Sequence, residues 1–392
     1  MTDQALAPPR SAFWRNVRFL RVLGQVVFVL VVLFALQQLY LNMEYGFRQR
    51  GITLDFQFLE QRAQFDIKEG IAYSSNSSYW RALQVGLFNT IRVAASGIVL
   101  ASILGLFIGV ARLSTNWLVR NVARVYVELF RNTPVLIQII FWYVAVILTL
   151  PLVQGEEASG FAFLTNRGGA VPWPRFHGES GPWGLWLLAA LAVAAGAWAW
   201  RTRRSDRTGD PHHRILWGLG LFVLVAGVGY VATGGPLEID APEATRFGFV
   251  GGLQVSGEFA AVLLGLVFYT AAFIAEIIRG SILAVDKGQK EAAAAMGLSA
   301  FQQLRFVVLP QALRIAVPPI NSQYLNLTKN SSLAAAIAFP DLASVSSTII
   351  NQAGRPFQIL IIIMSTYLIM SLLISTVMNV LNRTVALRGA RR

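Results

Sequence analysis

The sequence predicts an all-α integral membrane protein with about eight transmembrane helices, and three observations predict it. Hydrophobic residues make up 55% of the 392 positions and charged residues only 14%, against about 45–50% and about 25% in soluble domains. Eight windows are each apolar enough, over about 20 residues, to cross a bilayer. The net charge of +13 gathers in segments between alternate windows, where membrane proteins keep cytoplasmic Lys and Arg. An ordinary soluble enzyme and a disordered chain are excluded by the same figures. The basic excess reads as loop charge, and no nucleic-acid partner is expected. Cysteine is absent, which removes disulfides, thiolate metal sites and catalytic thiols. The histidines are His177, His212 and His213, the last two in an Arg-rich polar stretch, so neither a metal site nor a catalytic site is expected.

The windows run roughly over 20–40, 84–111, 122–150, 184–200, 214–233, 257–284, 304–339 and 357–381. The first follows Arg10, Arg15, Arg18 and Arg21. It reads as a retained span, because Val22–Leu36 is long for a signal-peptide core and no small-x-small cleavage site follows. In the polar 41–83 loop, Leu54–Ile67 carries Phe56, Phe58, Leu59, Phe65 and Ile67; it either lies on the membrane surface or packs on the bundle. The third and seventh windows contain polar and Pro interruptions and are expected as broken helices. Residues 151–256 read as an insert: a Gly- and Pro-rich stretch (Gly155–Pro182), a hairpin of two spans with an Arg201–Arg214 tip, and a second such stretch (Gly234–Gly252). The hairpin spans carry no internal charge, which marks scaffolding, not a substrate path. Trp183, Trp186, Trp198 and Trp200 flank the fourth window as interfacial anchors do. The chain thus divides into 1–83 (N-terminus, first span, outer loop), a core of 84–150 and 257–381, the 151–256 insert and a basic 382–392 tail. The clusters Arg10–Arg21, Arg112–Arg131, Arg201–Arg214, Arg279–Arg314 and Arg383–Arg392 fall on one side, which puts both termini in the cytoplasm.

The inside loop after the sixth window carries the mechanism. Gln289–Met296 is a run of good helix formers, Gly297 permits a left-handed C-terminal turn, and Ala300–Val308 reads as a second short helix with Phe301, Leu304 and Val308 on one face. Pro310 then reorients the chain into the seventh span. A bent hairpin of this kind fits a groove on a cytosolic partner.

This segment, 286–310, resembles the EAA loop of ABC importer permeases. Glu291, Ala292, Ala293, Gly297, Leu309 and Pro310 match at the family spacing, with Val307 where Ile is commoner. Phe130-Arg-Asn-Thr-Pro134…Gln138, Ala272…Glu276…Arg279-Gly280, Leu309-Pro-Gln-Ala-Leu-Arg314 with Pro318-Pro319, and Lys329-Asn-Ser-Ser-Leu333 resemble blocks of the polar amino-acid permeases. Asn330 and Ser331 stand where Asp and Thr are commoner. The insert and long outer loop are most similar to the general L-amino-acid and glutamate/glutamine/aspartate/asparagine uptake permeases of proteobacteria. The resemblance implies a type I importer (MetI-like) fold in the bacterial inner membrane, and a subunit that is not itself an enzyme. It implies docking of Gly288, Glu291, Ala292, Ala293, Gly297, Leu298, Phe301, Leu309 and Pro310 on an ATPase. It also implies the partners: a related permease in a heterodimer, two cytoplasmic ATPase chains that bind ATP and Mg, a periplasmic amino-acid-binding protein and membrane lipid.

A zwitterion inside a membrane needs donors for its carboxylate and acceptors for its ammonium. The candidates are Arg131, Gln138, Tyr143, Glu276, Gln323, Asn326, Lys329, Asn330, Ser331 and Ser332. Glu276 either pairs with Arg279, three residues on, or meets Lys329 or Arg131 across the bundle. Arg92 is expected to snorkel to the interface. Asn326–Ser332 is too polar to face lipid and reads as cavity or interface lining around an unwound turn. Pro318-Pro319 reads as a kink. The chain has no phosphate-binding Gly-x-x-x-x-Gly-Lys-Ser/Thr loop, so energy comes from another subunit or, in the alternative reading of an ion-coupled secondary amino-acid transporter, from an ion gradient. That alternative wants inverted repeats, and no repeat is evident.

Overall fold

The computed structural model describes residues 17–49, 51, 55–151, 162–176, 181–208, 213–235, 237–245 and 248–385. Arg10, Arg15, His177, His212, Arg388, Arg391 and Arg392 lie outside them, as do parts of both Gly- and Pro-rich stretches. The described helices include six long and apolar enough to cross a membrane, or up to eight if each of two bent pairs counts as one span.

Helix α1 (Val17–Gln49) is apolar along its length and its spanning window is 0% buried. Phe47 meets Phe357 edge-on at 4.7 Å. The following segment packs on the bundle, not on the membrane surface alone. Phe58, Ala63 and Ile67 are buried with Tyr79, Leu83, Leu342, Ile349 and Ile359. These apolar side chains within a polar loop find more apolar contact on protein than in headgroups.

Helix α2 (Tyr79–Ala111), capped by Ser78, and helix α7 (Gly257–Leu283), capped by Ser256, form the central seam. Gly105 and Gly109 let their backbones approach. A Cβ at Gly105 would stand 2.7 Å from Ile274 Cβ and 3.0 Å from the Ala271 carbonyl oxygen, and one at Gly109 2.9 Å from the Ala275 carbonyl oxygen. Small residues four apart are how membrane helices pack without a hydrophobic drive between them. Ala101, Leu266, Ala271, Ile274, Ile139 and Leu327 complete the core around that seam.

The third window is broken as expected. Helix α3 (Trp117–Asn132) and helix α4 (Val135–Phe141), the latter extended by a π-helical turn Trp142–Ile147, meet at 105°. Pro134 lacks an N–H and disfavours helix at Thr133. Gln138 Nε2 donates to the carbonyl oxygens of Phe130 and Thr133, both at 2.9 Å, and so satisfies acceptors that the end of α3 leaves open.

Among the described residues, seven short strands zip the base of the insert. They are β1 (Phe163–Thr165), β2 (Gly168–Val171), β3 (Trp173–Phe176), β4 (Leu237–Asp240), β5 (Glu243–Thr245), β6 (Gly248–Val250) and β7 (Leu253–Ser256). β2 pairs antiparallel with both β1 and β7, β3 with β4, and β5 with β6. Pairing of residues before the hairpin with residues after it (Trp173 with Asp240, Gly168 with Ser256) brings the ends of the insert together at the start of α7. The helical class holds and this small β element adds to it. From that base rise α5 (Gly181–Thr208) and α6 (Arg214–Ala232), joined by Trp183 Nε1 donating to the Ala226 carbonyl oxygen at 3.2 Å.

Helices α8 (Lys287–Ala295) and α9 (Ala300–Gln303) follow α7 at the opposite, hairpin end. A π-helical turn, Leu304–Val308, continues into α10 (Leu309–Asn330). Two expectations need correction here. Pro310 does not redirect the chain: it sits in the first turn of α10, where its missing N–H has little consequence. The helix also runs through Pro318 and Pro319, and its interruption falls later, where Ser331–Ile337 tightens to a 3-10 helix before Ala338 adopts φ 59°. A further helix, α11 (Leu342–Ala353), capped by Asp341, turns 54° from that segment. Helix α12 (Pro356–Val385) is the last span.

Candidate functional site

Local rules build the hairpin between α7 and α10. Asp286 caps α8 by accepting from Gly288 N at 2.6 Å. At the other end the amide of Leu298 donates to the Ala293 carbonyl oxygen at 3.2 Å and that of Gly297 to the Ala294 carbonyl oxygen at 2.9 Å. That bond pair closes a helix around a left-handed residue, and Gly297 takes φ 77°. Ser299 and Gln302 form a reciprocal capping box on α9, and Gln303 Nε2 holds the Leu298 carbonyl oxygen at 2.8 Å. Caps, turn and side-chain ties fix the angle between the two short helices.

The hairpin splits its side chains by task. Ala293 is buried against the body, while Glu291, Ala292, Met296 (73% exposed) and Phe301 (67% exposed) face outward. Leu304 also faces outward, but Val308 is buried with Val285 and Ala312. The expected single face of Phe301, Leu304 and Val308 is therefore divided, because the π turn shifts Val308 inward. Met296 and Phe301 thus stand exposed beside Glu291 on a rigid projection. Leu298 is half-buried and Gly288 exposed; Leu309 lies at the start of α10 with Leu313 exposed one turn on.

Just above this hairpin sits a charge cluster. Glu276 pairs with Arg279 at 2.5 Å, as the three-residue spacing suggested, and also with Arg112 from α2. Arg131 contributes to the same field while stacking over Phe273 at 5.0 Å. Lys329 is not among the partners of Glu276. It lies exposed on α10 with Ser322 and Asn326, at positions four and three apart, so the three share a helix face. Leu327 and Thr328 face inward. Gln323 and Asn330 are half-buried, as is Ser332, whereas Ser331 is buried and donates to the Thr328 carbonyl oxygen at 2.7 Å. Ser102 and Tyr324 hydroxyls meet at 2.7 Å behind that face.

At the strand end the fold lines an open cavity of about 650 Å³, bordered in part by Asp66, Glu69, Arg92, Arg167 and Glu258. Arg92 is not a snorkelling residue. Its guanidinium pairs with Glu69 at 2.8 Å and lies 4.0 Å over the Phe259 ring. Tyr143 reaches the same region by donating to Glu258 Oε1 at 2.9 Å. Sequence reasoning missed both Glu69 and Glu258: Glu69 lies in the polar outer loop and Glu258 in the first turn of the sixth window, and only the fold brings them together. Their presence flanking Arg92 and Tyr143 had no local signal. Gln138, by contrast, serves the α3–α4 break and is buried there.

Among the described residues no cluster of three or more His, Asp or Glu is placed to hold a metal ion. The described residues thus form a bundle of membrane-length helices with a charged cavity at one end and a rigid, apolar-surfaced projection at the other. Residues 214–388 match the family described as binding-protein-dependent transport system inner membrane component. The chain is 47% identical over 336 residues to the general L-amino acid transport system permease protein AapQ of Rhizobium johnstonii, covering 85% of this chain and 84% of the relative. It is 43% identical over 371 residues to the putative amino-acid ABC transporter permease protein YhdX of Escherichia coli, covering 93% and 94%. To the glutamate/glutamine/aspartate/asparagine transport system permease protein BztB of Rhodobacter capsulatus it is 38% identical over 418 residues, covering 97% and 98%. The chain belongs to this family of binding-protein-dependent transport permeases, the membrane-spanning subunits of ABC transporters.

Proposed function

We propose that this chain carries L-amino acids across the bacterial inner membrane from periplasm to cytoplasm, with the hairpin end and both termini in the cytoplasm. The observation that carries the reading is the α8–α9 hairpin: a capped, left-hand-turned projection whose outward surface is Glu291, Ala292, Met296 and Phe301. Two ATPase chains grip it and bind the ATP and Mg, so that this chain needs no cofactor of its own. The polar face of α10 (Ser322, Asn326, Lys329) turns toward a related permease, since an exposed ammonium facing lipid there is costly. The pathway runs between the two, past Arg131, Glu276, Gln323, Asn330 and Ser332. A periplasmic binding protein delivers substrate to the strand end. The cavity there presents guanidinium to a carboxylate and carboxylate to an ammonium, the two demands of an amino-acid zwitterion.

Closure of the ATPase pair moves the hairpins together and shifts the bundle between outward- and inward-facing states. Gly297→Asp is expected to insert and assemble normally while separating ATP hydrolysis from uptake. The test is reconstituted vesicles assayed for both rates. Normal coupled uptake by that variant refutes the docking role. Isolation of the tagged chain in mild detergent tests the composition: two ATPase copies and one related permease are expected. Recovery of two copies of this chain overturns the heterodimer.

A further inference from the structure

We propose that the α5–α6 hairpin holds an anionic phospholipid, its phosphate on Arg201 and Arg204 and one acyl chain in a groove on α6. Four observations converge on this. First, the two helices are largely uncovered: 6% and 11% of their spanning windows are buried. Second, the tryptophans set their depth. Seventeen residues separate Trp183 from Trp200, about 26 Å of helix, close to the ~30 Å hydrocarbon thickness. Arg201–Arg207 therefore emerge at headgroup level.

Third, the guanidinium groups are oriented. Arg201 lies 5.4 Å over the Trp217 ring and 5.9 Å over Trp200, and Arg204 lies 5.7 Å over Trp200. Cation–π contacts hold both heads at the level of the indoles. A planar guanidinium takes phosphate bidentately, which neutral headgroup parts do not match. Fourth, an apolar groove of about 370 Å³ runs along α6 from the same indole, lined by Leu216, Trp217, Gly220, Leu221 and Leu224. Nothing lies within 4 Å of where a Gly220 Cβ would stand, so the glycine leaves the groove open. Guanidinium heads at the interface, joined to a shallow apolar groove running into the bilayer, describe a diacyl phospholipid with a negative headgroup.

The test uses the full chain with its partner subunits in phosphatidylcholine nanodiscs. The discs are doped with acyl-brominated phosphatidylglycerol or, in parallel, acyl-brominated phosphatidylcholine. The Trp217 signal is the emission lost on Trp217→Phe. In the wild type, phosphatidylglycerol is expected to quench it at a lower mole fraction than phosphatidylcholine. Arg201→Gln and Arg204→Gln are each expected to raise the half-quenching fraction for phosphatidylglycerol about fivefold, the usual worth of one interfacial arginine. Arg201→Lys with Arg204→Lys, which keeps the charge but loses the bidentate fork, is expected to fall between wild type and the Gln variants, so a loss in the Gln variants is not misfolding. Gly220→Phe is expected to weaken quenching by both lipids. Equal quenching by the two lipids in the wild type, or a preference unchanged in the Gln variants, overturns the proposal. So does a Trp217 that neither lipid quenches, which assigns the face to a protein neighbour.

Discussion

Gly105→Ala tests the central seam. The new methyl would lie 2.7 Å from Ile274 Cβ and Cγ2 and 3.0 Å from the Ala271 carbonyl oxygen, where carbon–carbon contacts settle at about 3.5–4.0 Å. Neither neighbour can yield. Ile274 is β-branched in a helix, which leaves essentially one χ1 rotamer, and the oxygen is backbone. Helix α2 must therefore back away from α7 by about 1 Å, thinning dispersion contacts along the seam. Overpacking of this kind costs about 1–3 kcal/mol, and replacing a mid-helix glycine returns about 1 kcal/mol of propensity. The net expectation is a loss of about 1 kcal/mol for Ala and about 2 kcal/mol or more for Gly105→Val, which adds bulk without the propensity gain. Gly280→Ala is the matched control, because no atom lies within 4 Å of its Cβ position. Heating the purified assembly and following loss of monodisperse protein should rank Gly280→Ala at or above wild type, then Gly105→Ala, then Gly105→Val. A Gly105→Val protein as heat-stable as wild type would refute the close approach of α2 and α7.

Three other expectations follow from the site. At Gly297, with φ 77°, Val is strained by about 1–2 kcal/mol while Asn tolerates the left-handed region; uptake per ATP hydrolysed should fall for Val and stay near wild type for Asn, and equal coupling in both would dismiss the turn as a determinant. Glu276→Gln leaves Arg112 and Arg279 without their shared carboxylate. A loss of about 1–3 kcal/mol is expected for this half-buried group, read as lower melting temperature and folded yield, and an unchanged melting temperature would count against the cluster. Glu69→Gln frees Arg92 from its ion pair at the cavity, so the concentration of loaded binding protein needed for half-maximal uptake should change while ATPase activity without substrate does not; no change in either would remove Arg92 from the receiving end.

The parts legible in the sequence were those governed by near neighbours along the chain. Spans follow from local hydropathy, and the α8–α9 hairpin from Asp286, Gly297 and Ser299, each of which acts on backbone groups within a few residues. The α3–α4 break follows from Thr133-Pro134 for the same reason. The pairing of Glu276 with Arg279 was readable, being three residues apart, but its second partner Arg112 comes from another helix. The π turn before α10 escaped notice, whereas the unwound turn expected around Asn326–Ser332 takes the form of a 3-10 segment that starts at Ser331. Both arise from how α10 packs, and the prolines that seemed to mark the interruptions are absorbed within regular helix.

By itself, then, the amino-acid order determined that this chain spans a membrane, where it turns, and which short loop folds into a capped, projecting hairpin, because burial in lipid and helix capping are decided within one or two turns. The tertiary structure decided the rest: that Gly105 and Gly109 meet α7, that Arg92 finds Glu69, that Glu258 meets Tyr143, and that strands on either side of the insert pair across its hairpin. Those contacts join positions far apart along the chain. Their energies depend on distances that no local pattern encodes, and they exist only once the helices have packed.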